Sequence, residues 1–193
     1  GHSIIIGSRT AEKAQPAASE LNEKLGIDSV RGMDNLSAAQ ADEIIVLTEP
    51  NSAHSATIES VKSAAQGKIF VDVTVPLVPP KVSRVQLPAG GSASQEAQAI
   101  LGEGVKVVTA FQNISAEHLK DPDHPIDCDV LVCGDDKESK ATVIQLAADA
   151  GMKAWDAGPL ANAVVPEGLT SLLIGLNIRY KVKSSGIKIT GIE

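Results

Sequence analysis

Short runs of aliphatic and β-branched residues alternate with helical stretches along nearly the whole chain, and few architectures accommodate that alternation. Apolar runs over 3–7, 43–48, 68–73, 105–110, 129–133 and 152–155 read as buried strands, with a weaker one over 29–33. Helices are predicted over 10–24, with Thr10 as cap and Gly26 as stop, and over 36–41, 52–65, 92–101, 115–119, 135–150 and 160–180. Pro16 is expected to kink or restart the first helix. Pro76, Pro79, Pro80 and Pro88, with Gly90 and Gly91, mark residues 76–91 as a loop. Residues 186–192 read as a short terminal strand or tail.

This order implies an α/β protein, a Rossmann-like doubly wound, mainly parallel sheet with helices on both faces and a small C-terminal helical extension. Aromatic residues make up only 2% of the 193, so aliphatic side chains must fill the core. The expected division is a dinucleotide-binding domain over 1–150 and a C-terminal extension over 151–193. In the last helix Leu169, Leu172, Leu173 and Leu176 form one apolar face, and Ile174 and Ile178 a second. A helix apolar on two faces is buried on two sides, which a second subunit would supply; a homodimer is expected.

The formal net charge of −7, without a basic stripe, argues against nucleic acid as a partner. No apolar run is expected to reach the roughly 18 residues that cross a bilayer, and no signal peptide is visible. Cys128 and Cys133 match neither a redox pair nor a zinc ligand set and read as small core residues, so the default compartment is the cytoplasm. His118, Asp121, Asp123, His124 and Asp127 cluster in a proline-broken stretch without metal-ligand spacing. No GxSxG nucleophile elbow occurs.

The segment Gly7-Ser8-Arg9-Thr10-Ala11-Glu12-Lys13 stands where the second strand of a dinucleotide fold ends. NAD-preferring proteins usually place an acid there for the ribose 2′-hydroxyl. Here Ser8 offers a hydroxyl, Arg9 a planar bidentate donor and Lys13 a cation one turn later, a set suited to a 2′-phosphate. A solvated strand-to-helix turn would look the same. The pyrophosphate needs a glycine-rich turn after the first strand, and no such motif precedes Gly7. The chain opens Gly1-His2-Ser3 directly before a buried-looking strand. The expectation is that the natural domain carries roughly 25 further residues upstream, with the first strand and that loop.

Two other strand ends are candidates. Thr48, Glu49 and Pro50 end the 43–48 strand, where the nicotinamide ribose lies in such folds. His54, one turn on and expected to be exposed, is a candidate cofactor contact. Val78 lies in a rigid apolar loop able to wall a planar ring. Each has a plain structural alternative, a turn that merely ends a strand.

With Gly32-Met33, Pro76-Leu77-Val78-Pro79, Val132-Cys133-Gly134-Asp135-Asp136 with Ser139-Lys140, Asp156-Ala157-Gly158-Pro159-Leu160 with Asn162, the leucine-rich helix and Gly186-Ile187-Lys188, the SR-x-x-x-K turn resembles the F420-dependent NADP oxidoreductase family. These stretches span almost the whole chain in that family's order. The resemblance implies hydride exchange between NADPH and coenzyme F420 in a dimeric enzyme. It implies that Ser8, Arg9 and Lys13 hold the 2′-phosphate, and that Glu49, Val78 and Ala116 meet the rest of NADP. The family commonly carries an aliphatic residue where Glu49 stands and a histidine where Ala53 stands. Two other readings of the residues remain: an NADP-dependent reductase with a flavin or metal-ion acceptor, and a non-catalytic nucleotide-binding or dimerisation module.

Overall fold

A computed structural model describes residues 2–121 and 124–192; Gly1 and Asp123 lie outside the described residues. Strand β1 (Ile4–Ser8) leads through Arg9 and Thr10 into helix α1 (Ala11–Leu25). Gly26 ends that helix at φ 65°, a conformation glycine adopts without strain. Helix α1 continues through Pro16 without ending or restarting there. The missing N–H removes only a bond to Glu12, in the exposed first turn, while Ala14 and Ala18 bury the inner face.

Strand β2 (Val30–Asp34) pairs in parallel with β1, from Ile4 opposite Val30 to Ser8 opposite Asp34. The approach of α1 to β2 requires a glycine: a Cβ on Gly32 would stand 2.5 Å from main-chain atoms of Ala14 and Gln15. Asp34 then caps α2 (Asn35–Ala41), its carboxylate accepting from the Ser37 N–H at 2.9 Å. Strand β3 (Ile44–Leu47), a tight turn over Asn51–Ala53 and α3 (His54–Val61) follow. Strand β4 (Ile69–Asp72) runs into the proline-rich loop, and Ser92 caps α4 (Ala93–Leu101). Beyond β5 (Lys106–Thr109) come the short α5 (Ala116–Leu119), β6 (Val130–Gly134), α6 (Lys137–Asp149) and β7 (Ala154–Asp156). A tight turn over Leu160–Ala163 opens into α7 (Val164–Tyr180).

Strands β3, β4 and β5 are parallel, β6 runs antiparallel to β5, and β7 is parallel to β6. The carboxyl ends of β3, β4 and β5 therefore share one edge of the sheet, and those of β6 and β7 the opposite edge. Phe70 and Val71 show why these strands read as continuous apolar runs. Phe70 packs with Ile58, Ala97 and Leu101 on one face, Val71 with Val143 and Ala147 on the other. Cys133 is fully buried in β6, and burial pushes its thiol up to about 11. Both cysteines are unpaired thiols.

Pairing breaks between β1 and β3. Among the described residues β1 pairs only with β2, and the five strands β3 to β7 form a separate sheet. A cavity of about 640 Å³ lies between the two open edges, lined by Ile4 to Gly7 on one side and Ile44 to Leu47 on the other.

The stretch Leu160–Tyr180 is long and apolar enough to cross a membrane, with a mean hydropathy of 1.2, contrary to the sequence reading. In the fold it behaves as a core helix, burying Pro166, Glu167, Ser171 and Leu173. Its outer side leaves Val165 and Leu172 more than half exposed. Residues 186–192 form no regular strand; the Ile187 carbonyl accepts from the Asp129 N–H at 2.8 Å beside β6.

Replacing Gly32 by alanine forces α1 off β2. Gly32→Ala should cost about 1–3 kcal/mol of stability, read as a lowered urea midpoint with an unchanged slope.

Candidate functional site

The turn after β1 gathers three donors with nothing to donate to. Ser8 is half-buried and Arg9 and Lys13 are exposed. Among the described residues none of their side chains has a hydrogen bond or ion pair. Glu12, the acid in this turn, is engaged elsewhere: its own backbone N–H and then the Thr10 hydroxyl hold its carboxyl below the usual range. The turn also opens α1, so the helix dipole adds to the positive potential. Two cations and a hydroxyl left free beside a helix start form an anion cradle.

Gly7, next to Ser8, lines the cavity between β1 and β3, and so do Thr48 and Glu49 from the end of β3. Ser8, Arg9 and Lys13 stand outside the lining and reach it only through their neighbour Gly7. Pro50, Val78 and Ala116 stand outside the lining: Pro50 ends the β3 exit, Val78 is 48% exposed on the proline-rich loop, and Ala116 opens α5. His54, expected to be exposed, is buried, and its Nε2–H donates to the Asp72 carboxylate at 2.8 Å.

Three participants were not found from the sequence. Phe111 lines the cavity from the exit of β5 with φ at 72°, a left-handed conformation costly for an aromatic residue. Asn35 lines it from the start of α2. Asp72 ends β4 fully buried. The sequence holds only two Phe, which is a weak pointer to Phe111; nothing in it shows the backbone conformation.

Deeper in the same region Glu167 reaches from α7 to the start of α4. Its two oxygens accept from the Ala93 N–H at 2.7 Å and the Ser94 N–H at 3.1 Å. Burial raises its carboxyl to about 7, against the pull of those two N–H groups, and the Asp72 charge adds to the rise.

Residues 1–76 match the family model described as NADP oxidoreductase, coenzyme F420-dependent. Over 98% of its length the chain is 43% identical to the F420-dependent NADP reductase of Methanocaldococcus jannaschii, covering 88% of that protein. It is 40% identical to the F420-dependent NADP reductase of Methanothermobacter marburgensis over its full length, covering 89% of that protein. Among solved structures, a candidate F420-dependent NADP reductase from Arthrobacter sp. FB24 superposes with a TM-score of 0.79 at 23% identity. That superposition covers 98% of this chain and 89% of the other, and it shows the shared fold.

The buried carboxylate sets a pH dependence. Folded Glu167 keeps its proton up to about 7, whereas the unfolded chain releases it near 4.5. Its contribution therefore falls as pH rises from about 4.5 to about 7 and is flat above. Glu167→Gln should abolish that fall, which amounts to on the order of 3 kcal/mol, in unfolding free energies measured across this range.

Proposed function

Because this chain belongs to the F420-dependent NADP reductase family, we propose that it is an oxidoreductase passing a hydride between NADPH and coenzyme F420. The observation that carries the reading is the unpartnered set of Ser8, Arg9 and Lys13 in the turn that follows Gly7, itself a residue of the cavity wall. A 2′-phosphate fits it: the guanidinium grips two oxygens, and the ammonium and hydroxyl meet the rest. The absence of an acid at this strand end disfavours a bare ribose 2′-hydroxyl.

NADPH supplies the hydride and F420 accepts it, so the protein contributes binding, alignment and exclusion of water. Thr48 and Glu49 face the cavity, where a hydroxyl and a carboxylate can accept from ribose hydroxyls. Pro50 fixes the direction of the loop that carries them. Phe111 supplies an apolar wall of the cavity, and Val78 and Ala116 would meet the nucleotide outside it. No side chain is assigned as acid or base.

In the same reading the gap between β1 and β3 is the seat of one further extended segment with the glycine-rich turn, completing a dinucleotide domain over 1–150. Two facing, unpaired strand edges support it. The two free thiols fit a reducing, cytoplasmic setting. Residues 151–193 would serve as the dimer contact. Val165, Leu169, Leu172 and Leu176 recur at heptad spacing along the outer side of α7, and a second copy of this chain is the occupant that would cover them.

Arg9→Ala should weaken NADPH binding by about 10- to 100-fold and NADH binding by less than about threefold, measured by nucleotide fluorescence titration. Equal loss for both would refute the phosphate cradle. NADPH should bleach the deazaflavin absorbance of F420 in the presence of the full-length protein; tight NADPH binding without bleaching would refute F420 as acceptor. Leu172→Asp should yield a monomer in sedimentation where the parent chain sediments as a dimer.

A further inference from the structure

The buried pair His54–Asp72 has no place in the scheme above, yet it sits beneath the loops where the reacting rings meet. Asp72 ends β4 with no exposed surface, and His54 opens α3 at 2% exposure. Taking an imidazole and a carboxylate out of water is costly, and aliphatic residues would fill the site without that cost. What the pair does provide is connection.

One Asp72 oxygen accepts from His54 at 2.8 Å, and the other accepts from the Thr74 N–H at 2.9 Å. The Asp72 carbonyl accepts from the Gln112 side-chain amide at 2.7 Å. A single residue at the end of β4 thus ties down the segments that follow β3, β4 and β5. The first brings Thr48 and Glu49 to the cavity and the third brings Phe111, held at φ 72° immediately before Gln112. The chain continues outward, since the Gln112 carbonyl accepts from the Thr170 hydroxyl of α7 at 2.7 Å.

We propose that His54 and Asp72 are positioning residues for hydride transfer: their hydrogen bond clamps the loop carrying Thr48 and Glu49 to the end of β4, in the alignment the two rings require. The inference rests on the hydride-transfer reading above. Neither residue touches the cofactor or exchanges a proton with it. Their effect reaches the reaction through the loops, and a misplacement of about 1 Å at a reacting centre costs up to roughly 100-fold in rate.

The test compares the parent chain with His54→Leu, His54→Gln and Asp72→Ala. In His54→Leu, kcat for F420 reduction should fall about 10- to 100-fold with the NADPH dissociation constant within about threefold, because the 2′-phosphate cradle is untouched. Amide hydrogen exchange over 48–53 should accelerate, while 110–113, held through the Asp72 main-chain carbonyl, should keep its protection. His54→Gln keeps a side-chain donor and should recover most of the lost rate and protection. If His54→Leu fails to fold, Asp72→Ala decides the matter: it removes the carboxylate that His54 reaches, while the main-chain carbonyl that holds Gln112 stays. Unchanged kcat in a folded variant, a parallel rise in the NADPH dissociation constant, or unaltered exchange over 48–53 would overturn the proposal. If the parent chain itself leaves F420 unreduced, the hydride-transfer reading fails instead, and exchange over the two segments still reports whether the clamp exists.

Discussion

Main-chain hydrogen bonding governs this fold, because strands buried on both faces have no water to satisfy their N–H and C=O groups. From β3 to β7 the ladders meet that demand without interruption, and the Ile187 carbonyl pairs with Asp129 beyond the end of β6. The one interruption is the gap between β1 and β3. The unit formed by β1, α1 and β2 is joined to the rest chiefly through α2, which packs against both β1 and α3. The distance between the cationic turn and the ends of β3 to β5 is therefore set by one short helix and by what lies in the gap.

Strand and helix positions were legible because both faces of the sheet are buried: continuous aliphatic runs bounded by Gly, Ser and Asp caps leave little ambiguity. Thr10 was right as a boundary but for a different reason, since its side chain caps no backbone N–H. Pro16 does not restart the helix, because a helix held by buried Ala14 and Ala18 tolerates one missing bond near its exposed end. The membrane criterion misled. A count of apolar residues cannot see that Glu167 within that stretch turns inward to the start of α4.

The candidate site was legible where adjacent residues act together and illegible where the fold brings distant ones to each other. Ser8, Arg9 and Lys13 share one turn, so spacing alone places them. His54 and Asp72 are 18 positions apart and meet only because α3 starts above the end of β4. One stretch that carries the family resemblance, Asp156 to Leu160, belongs to the opposite edge of the sheet. There Asp156 holds the mostly buried Lys140 at 2.7 Å, the Gly158 carbonyl accepts from Gly134, and the Leu160 N–H donates to Asp135. Words that carry the family resemblance describe a corner of the scaffold; the words that describe its chemistry are short and scattered.

Helix α7 contains Pro166, Gly168 and Gly175 together with Val164, Val165, Thr170, Ile174 and Ile178, a composition with little intrinsic tendency to coil. Gly168 and Gly175 leave room for Val85 and Ser83 of the proline-rich loop to lie against it. Such a helix draws its stability from packing on the sheet and that loop rather than from its own propensity. Its exposed apolar stripe, with Val165 and Leu172, therefore exists as a surface only where that bed holds it.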